Sequence, residues 1–196
     1  MTTPREYQTL LVQVEGQRAL ITLNRPERRN AIGPQMVNEL LCALDDAWQA
    51  PQVRTIVLTG AGKAFCAGGD FSQVSGSADG PSLPTRGDYS DLLARLVRAP
   101  KPVVARVNGH AMGGGLGLVA ASTFAIASAE AKLGTPEVDV GLFPMMIMAV
   151  LARLMPRRRL LEMMLLGQRI SATEAAALGL INRAVEPSAL DAQVDA

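Results

Sequence analysis

Apolar residues recur along this chain in two alternating rhythms. Residues 9–14 and 18–23 are short β-rich runs separated by Glu15-Gly16-Gln17, the pattern of a hairpin. Over residues 34–50 the period changes. Met36, Val37, Leu40, Leu41, Leu44 and Trp48 fall at helical spacing, and Pro34 suits a first helical turn. Residues 53–59, with Val53, Ile56, Val57 and Leu58, predict a buried strand that ends at the glycine-bearing stretch 60–69. A helix over 91–98, a second buried strand over 102–107, a small-residue helix over 114–121 and a strand over 123–127 follow. Strands alternating with helices predict an α/β fold with parallel neighbours, to which the hairpin adds antiparallel edges.

Other segments break these rhythms. Residues 72–88 hold glycine, serine, proline and aspartate without an apolar period, and read as a mobile loop or lid. Residues 145–155 are apolar but interrupted by Arg153 and bounded by Pro144 and Pro156, too short to span a bilayer. The methionines there, Met145, Met146 and Met148, read as core filling, with the lining of an apolar pocket as the second reading. Residues 171–178 predict a helix capped by Ser171 with Glu174 three places on, followed by a turn at 179–182, a short strand, and another helix beginning near Ser188.

With 196 residues, 48% of them hydrophobic, the chain can bury a sizeable core. A net charge of +1, from 19 basic and 18 acidic residues, leaves no electrostatic footprint for nucleic acid or an anionic membrane. Residues 1–8 lack the long apolar core of a signal peptide, and Cys42 and Cys66 form neither a metal-spaced nor a disulfide pattern. The expectation is a cytoplasmic protein without a metal.

Candidate chemistry gathers at two glycine turns. Gly113-Gly114-Gly115 opens a helix, so amides at its positive end can approach a developing negative charge, although a tight turn before a packed helix would use the same residues. A second turn, Phe65-Cys66-Ala67-Gly68-Gly69-Asp70, follows a strand and supplies a possible converging amide. Glu137, beside Pro136 and before an apolar helix, is the candidate proton-transfer group, because burial raises a carboxylate toward a useful pKa. Asp139, two residues on, reads as structural, with a supporting role as the second reading, since an extended backbone would place it on the same face. His110 and Cys66 lack catalytic partners and read as supporting structure. Asp70 is expected to cap the segment after the turn and hold Gly69, while Arg157-Arg158-Arg159 reads as a solvated helix start or a subunit contact.

These residues carry a resemblance. Asn24-Arg25-Pro26 with Arg29-Asn30-Ala31, Ala64 to Asp70, Val107-Asn108-Gly109 with the glycine triplet, and Pro136-Glu137 with Gly141-Leu142 resemble, in this order, the crotonase (enoyl-CoA hydratase/isomerase) superfamily. The resemblance implies a spiral of ββα units over residues 1–187, with residues 188–196 starting a truncated C-terminal helical region. It also implies an acyl-CoA thioester as partner, with coenzyme A carried by the substrate and no separate cofactor.

The same resemblance assigns residues. Gly69 and Gly114 become the oxyanion-hole amides, Glu137 the catalytic group, and Arg28, Ala31, Ala64, Ala67, Gly68 and Asp70 the substrate or CoA contacts. Arg25, Arg28 and Arg29 compete for the nucleotide phosphates. Gly117 stands where two-glutamate hydratases carry their other carboxylate, so the chain is similar to one-glutamate members. Three readings stay open: a hydratase, a lyase of fatty acid metabolism; a Δ3,Δ2-enoyl-CoA isomerase; and a non-catalytic acyl-CoA-binding protein. The resemblance further implies a homotrimer or dimer of trimers if the C-terminal helices are present.

Overall fold

The computed structural model describes residues 5–70 and 83–196, so the greater part of the loop expected over 72–88 lies outside the described residues. β1 (Leu10–Glu15) and β2 (Arg18–Leu23) pair antiparallel around the expected turn, Leu10 opposite Leu23. Along β2, Ala19, Ile21 and Leu23 are buried, because the two-residue period sends every second side chain inward. α1 (Pro34–Gln49) follows and buries Met36, Val37, Leu40, Leu41 and Leu44.

From there the chain climbs through two sheets at once. β3 (Thr55–Gly60) adds parallel to β2, and β4 (Ala64–Cys66) begins a second sheet. α2 (Tyr89–Val97) returns the chain to β5 (Val103–Val107), parallel to β3; β6 (His110–Met112) then joins β4, and α3 (Gly114–Ala121) completes that unit. β7 (Phe124–Ser128) and β8 (Lys132–Gly134) repeat the pattern. A 3-10 helix at Pro136–Val140, α4 (Met145–Leu151) and α5 (Arg157–Leu166) close this third unit. β9 (Arg169–Ser171), α6 (Ala172–Ala177), β10 (Arg183–Val185) and α7 (Leu190–Asp195) end the described chain.

The six-stranded sheet runs β1-β2-β3-β5-β7-β10 and the four-stranded one β4-β6-β8-β9. Their only antiparallel pairs among the described residues are the edge pairs β1/β2 and β8/β9. Sequential ββα units thus form a spiral of the kind expected, its core held between the sheets and the helices. No helix among the described residues is long and apolar enough to cross a membrane.

Element boundaries lie within about two residues of those expected, and at the helix starts the reason is local. α2 begins at Tyr89, two residues before the expected start, because the Asp88 carboxylate accepts from the Ser90 and Asp91 amides while Asp91 accepts from the Asp88 amide. Ser171 does cap α6 through the Glu174 amide, yet the Glu174 side chain turns to Arg159 instead of back to the cap. The helix expected near Ser188 starts at Leu190, which is buried, and Asp191 and Asp195 tie it to Arg106 and Arg18.

The loop after β2 is organised by one side chain. Asn30, fully buried with a left-handed φ of 56°, donates from Nδ2 to the carbonyls of Ala61 (2.9 Å), Ala64 (2.9 Å) and Phe65 (3.2 Å), and accepts from the Arg25 amide (2.9 Å). This fastens the loop to β4, and Ile32 then pairs with Gly69 as an isolated parallel bridge. Asn30→Ala strands these buried groups in a conformation that alanine adopts poorly, at a cost of about 2–4 kcal/mol. The expected result is a lower urea midpoint with an unchanged m-value.

Candidate active site

The first turn of α3 has no side chain on its inner face. Gly113 takes φ +49° and ψ −121°, a backbone that L side chains rarely adopt, and a Cβ there would stand 2.7 Å from Glu137 Oε1. Its amide donates to the Gly134 carbonyl (2.9 Å), which pins the turn to the end of β8. The Gly117 amide makes the first intrahelical bond, to Gly113 (3.0 Å), so the Gly114 amide has no acceptor within α3. At the other turn, the bridge takes the Ile32 amide to Gly68 (2.8 Å) and the Asp70 amide to Ile32 (2.8 Å), leaving the Gly69 amide turned away from it. Gly69, Gly114 and Glu137 all line one cavity of about 600 Å³.

Glu137 reaches that cavity from the 3-10 helix. Thr135, fully buried, anchors the start through a hydroxyl bond to the Met163 carbonyl (2.9 Å); Gly141 ends the helix in a left-handed turn, and the Leu142 amide donates to the Glu137 carbonyl (3.0 Å). The carboxyl Oε2 is buried without a hydrogen-bond partner. Burial pushes the Glu137 carboxyl above the ordinary carboxylate value, because the loss of water from the charged form outweighs the hydrogen bond it receives from its own backbone amide.

The 3-10 helix leaves Asp139 a structural residue and removes the extended backbone on which a supporting role beside Glu137 depends. At three residues per turn, positions two apart do not share a face. Asp139 pairs instead with Arg169 (3.1 Å), away from Glu137. The methionine run is corrected. Met145 is 67% exposed, Met146 and Met148 are also exposed, and only Ile147 of that turn is buried. Met145 and Met146 border the cavity with Leu142, Phe143 and Ile147, so the pocket-lining reading is the one observed.

The other expected contacts sit around the cavity in distinct ways. Asp70 lies in its wall, its side chain 6% exposed, and receives Arg25 at 2.9 Å and Arg28 at 3.5 Å. The segment that Asp70 is expected to cap lies outside the described residues. Arg25 also donates to the Ala31 carbonyl (3.2 Å) and is largely withdrawn from water, whereas Arg28, although paired with Asp70, and Arg29 are exposed. Ala64 accepts from Asn30, the Ala67 amide donates to Arg29 (2.9 Å), and the Gly68 carbonyl holds Ile32. These backbone bonds shape the turn from behind the cavity wall.

His110 Nδ1 accepts from the Lys132 amide (3.0 Å), a strut between β6 and β8. Burial pushes the Cys66 thiol up to about 12, so it stays a packed, protonated side chain. Arg159, from the arginine run, pairs with Glu162 and Glu174 on the surface.

Two cavity residues were not singled out from the sequence. Glu39 is a buried carboxylate, but the Gln8 amide (3.1 Å) and the Thr9 amide (2.8 Å) and hydroxyl (2.7 Å) hold it, so it secures the first strand. Tyr89 falls between the loop expected over 72–88 and the helix expected over 91–98; Asp88 and Asp91, three apart, are the capping signal that draws it into α2. Its hydroxyl donates to the Gly114 carbonyl at 2.5 Å. Burial, with Cys66 and Glu137 nearby, raises this phenol well above its ordinary value.

Comparisons with known proteins place the sequence and the fold in one family. The sequence model of the family described as Enoyl-CoA hydratase/isomerase matches residues 14–194. A Thermus thermophilus relative is 41% identical over 184 residues, 90% of this chain and 72% of its own length. The short-chain-enoyl-CoA hydratase of Clostridium acetobutylicum is 34% identical over 189 residues, 94% of this chain and 72% of that protein. The crystal structure of a Mycobacterium smegmatis enoyl-CoA hydratase superposes with a TM-score of 0.83 at 36% identity, over 95% of this chain and 74% of that one. With its ββα spiral, its paired glycine turns and a match across most of its length, the chain belongs to the enoyl-CoA hydratase/isomerase family.

Proposed function

We propose that the protein is an enoyl-CoA hydratase, a lyase that adds water to an acyl-CoA thioester or removes it, with Glu137 as its single proton-transfer group. One observation carries this reading: the buried, unpartnered Glu137 oxygen borders the same cavity as the Gly69 and Gly114 amides. The two amides donate to the thioester oxygen. Charge that develops there as an enolate forms is then met by fixed dipoles, and one such donor contributes about 3 kcal/mol to the barrier.

In hydration, the water oxygen bonds to Cβ, the double-bond electrons move to the enolate, and Glu137 accepts the water proton and returns it to Cα. The apolar wall from Leu142 to Ile147 receives the acyl chain. Arg28 and Arg29, exposed on the loop, are offered to the CoA phosphates, while Ala31, Ala64, Ala67, Gly68 and Asp70 shape the turn beside them. Coenzyme A enters as part of the substrate, and the reaction calls for no separate cofactor.

A second reading, Δ3,Δ2-enoyl-CoA isomerase, is favoured by the glycine at 117, since one carboxylate suffices to carry a proton between two carbons. A cytoplasmic setting fits the two free, buried thiols. The exposed apolar side chains of Val140, Leu165 and Leu166, outside the cavity, support a homo-oligomer, a homotrimer or dimer of trimers where C-terminal helices are present.

Incubation with 2-enoyl-CoA and 3-enoyl-CoA in ¹⁸O-labelled water tests the choice. Label in the product indicates hydration, a moved double bond without label indicates isomerisation, and tight binding without either leaves a non-catalytic acyl-CoA-binding protein. Glu137→Gln lowers kcat by about 10²–10⁴-fold with acyl-CoA binding retained; turnover at the parental rate would refute the assignment.

Burial also sets the pH dependence. The acid limb of kcat/KM lies above the ordinary carboxylate value, because the base must be ionised. The native state holds this proton to higher pH than the unfolded chain. Its contribution to stability is therefore complete at low pH and is lost as pH rises through the raised pKa. Urea titrations of Glu137→Gln across that interval should lack this slope.

A further inference from the structure

Gly114 and Gly117 lie on one face of α3, a single turn apart, and the Tyr89 phenol fills the notch between them. Its Cζ and hydroxyl stand 3.5 Å from the place a Cβ on Gly114 would take. A Cβ on Gly117 would fall on the hydroxyl itself and come within 2.5 Å of Ile147 Cγ2. The volume from which a carboxylate at 117 would project is therefore occupied. What occupies it is polar, neutral and at the cavity wall, along with Glu137.

The single phenolic proton is committed to the Gly114 carbonyl. Toward a molecule in the cavity, the oxygen can only accept. Glu137, when ionised, is also an acceptor. A water lying between them would have a different destination for each of its two protons, which fixes the lone pair that attacks.

We infer that Tyr89 is the second polar group of the active site: it accepts a hydrogen bond from the proton that the attacking water keeps, while Glu137 takes the other. This rests on the hydration reading above. The phenol itself neither gives up nor gains a proton. The water's retained hydrogen ends on the new β-hydroxyl and its transferred hydrogen on Cα, so the stoichiometry of hydration is unchanged. Burial and the nearby Glu137 charge keep the phenol protonated through the working range. The glycine at 117 is then the packing partner of a tyrosine that supplies the second contact by another route.

Tyr89→Phe removes the oxygen and keeps the ring. Two rates are compared in the parent and the variant: hydration of but-2-enoyl-CoA, and exchange of the α-hydrogen of butyryl-CoA with deuterated water, which needs Glu137 and the thioester donors but no attacking water. The expected result is a fall in hydration kcat of about tenfold or more, with KM and the exchange rate each within about threefold of the parent. Unchanged hydration overturns the inference. An equal loss of hydration and exchange also overturns it, because the hydroxyl would then act only by bracing the Gly114 turn. A parent that exchanges the α-hydrogen but does not hydrate refutes the hydratase reading and the water contact with it, while leaving Glu137 as a base. A parent that does neither refutes the catalytic reading as a whole.

Discussion

Everything at this site depends on holding a carboxylate against the start of a helix with one of its oxygens, Oε2, left without a partner. The contact between Glu137 and Gly113 is possible only because Gly113 has no Cβ and can adopt a positive φ. The fold supplies the restraint on both sides. Gly113 is tied to β8 through Gly134, and β8 leads directly into the Thr135 anchor from which Glu137 projects. One strand therefore registers both the helix start and the carboxylate, so their separation does not depend on loop mobility. Were Glu137 satisfied by a nearby donor, it would be more stable and less basic.

The second glycine turn is registered independently, through Asn30 and the Ile32–Gly69 bridge. Here the work is done by backbone pairing between segments far apart in sequence. The Arg25–Asp70 pair, with both side chains largely withdrawn from water, adds a charged tie between the same two segments. Breaking one partner of such a pair costs more than the pair itself contributes. This explains why an arginine that the sequence offers to a phosphate is retained inside the loop.

Much of this was legible in the sequence, and the reasons for the remainder are physical. Buried strands such as 53–59 and 102–107 announce themselves by short runs of apolar, β-branched residues, and the small-residue helix at 114–121 by the glycines that open it. The ββα spiral itself came from the family resemblance, since short strands such as Ala64–Cys66 and His110–Met112 carry too few residues to show a period. Asp139 is structural, as its position suggested, and the shared face with Glu137 fails because Pro136 starts a 3-10 helix that an extended reading does not foresee. The methionines of α4 misled for a different reason: helical spacing says which side chains share a face, and not whether that face meets protein or solvent.

Tyr89 illustrates the limit most sharply. Nothing local marks a tyrosine after Gly87-Asp88 as part of a site whose other members come from residues 69, 114 and 137. Its place follows from three long-range facts: α2 packs against α3, α3 offers two glycines on one face, and Ile147 of α4 closes the far side. A missing carboxylate read from the sequence suggests loss; the packed notch is an exchange. A glutamate at 117 would have to displace the hydroxyl and the Ile147 methyl together, so the single change cannot restore a two-carboxylate site without remodelling both neighbours. Glycine at 117 and tyrosine at 89 are therefore best understood as one structural choice, made across two helices.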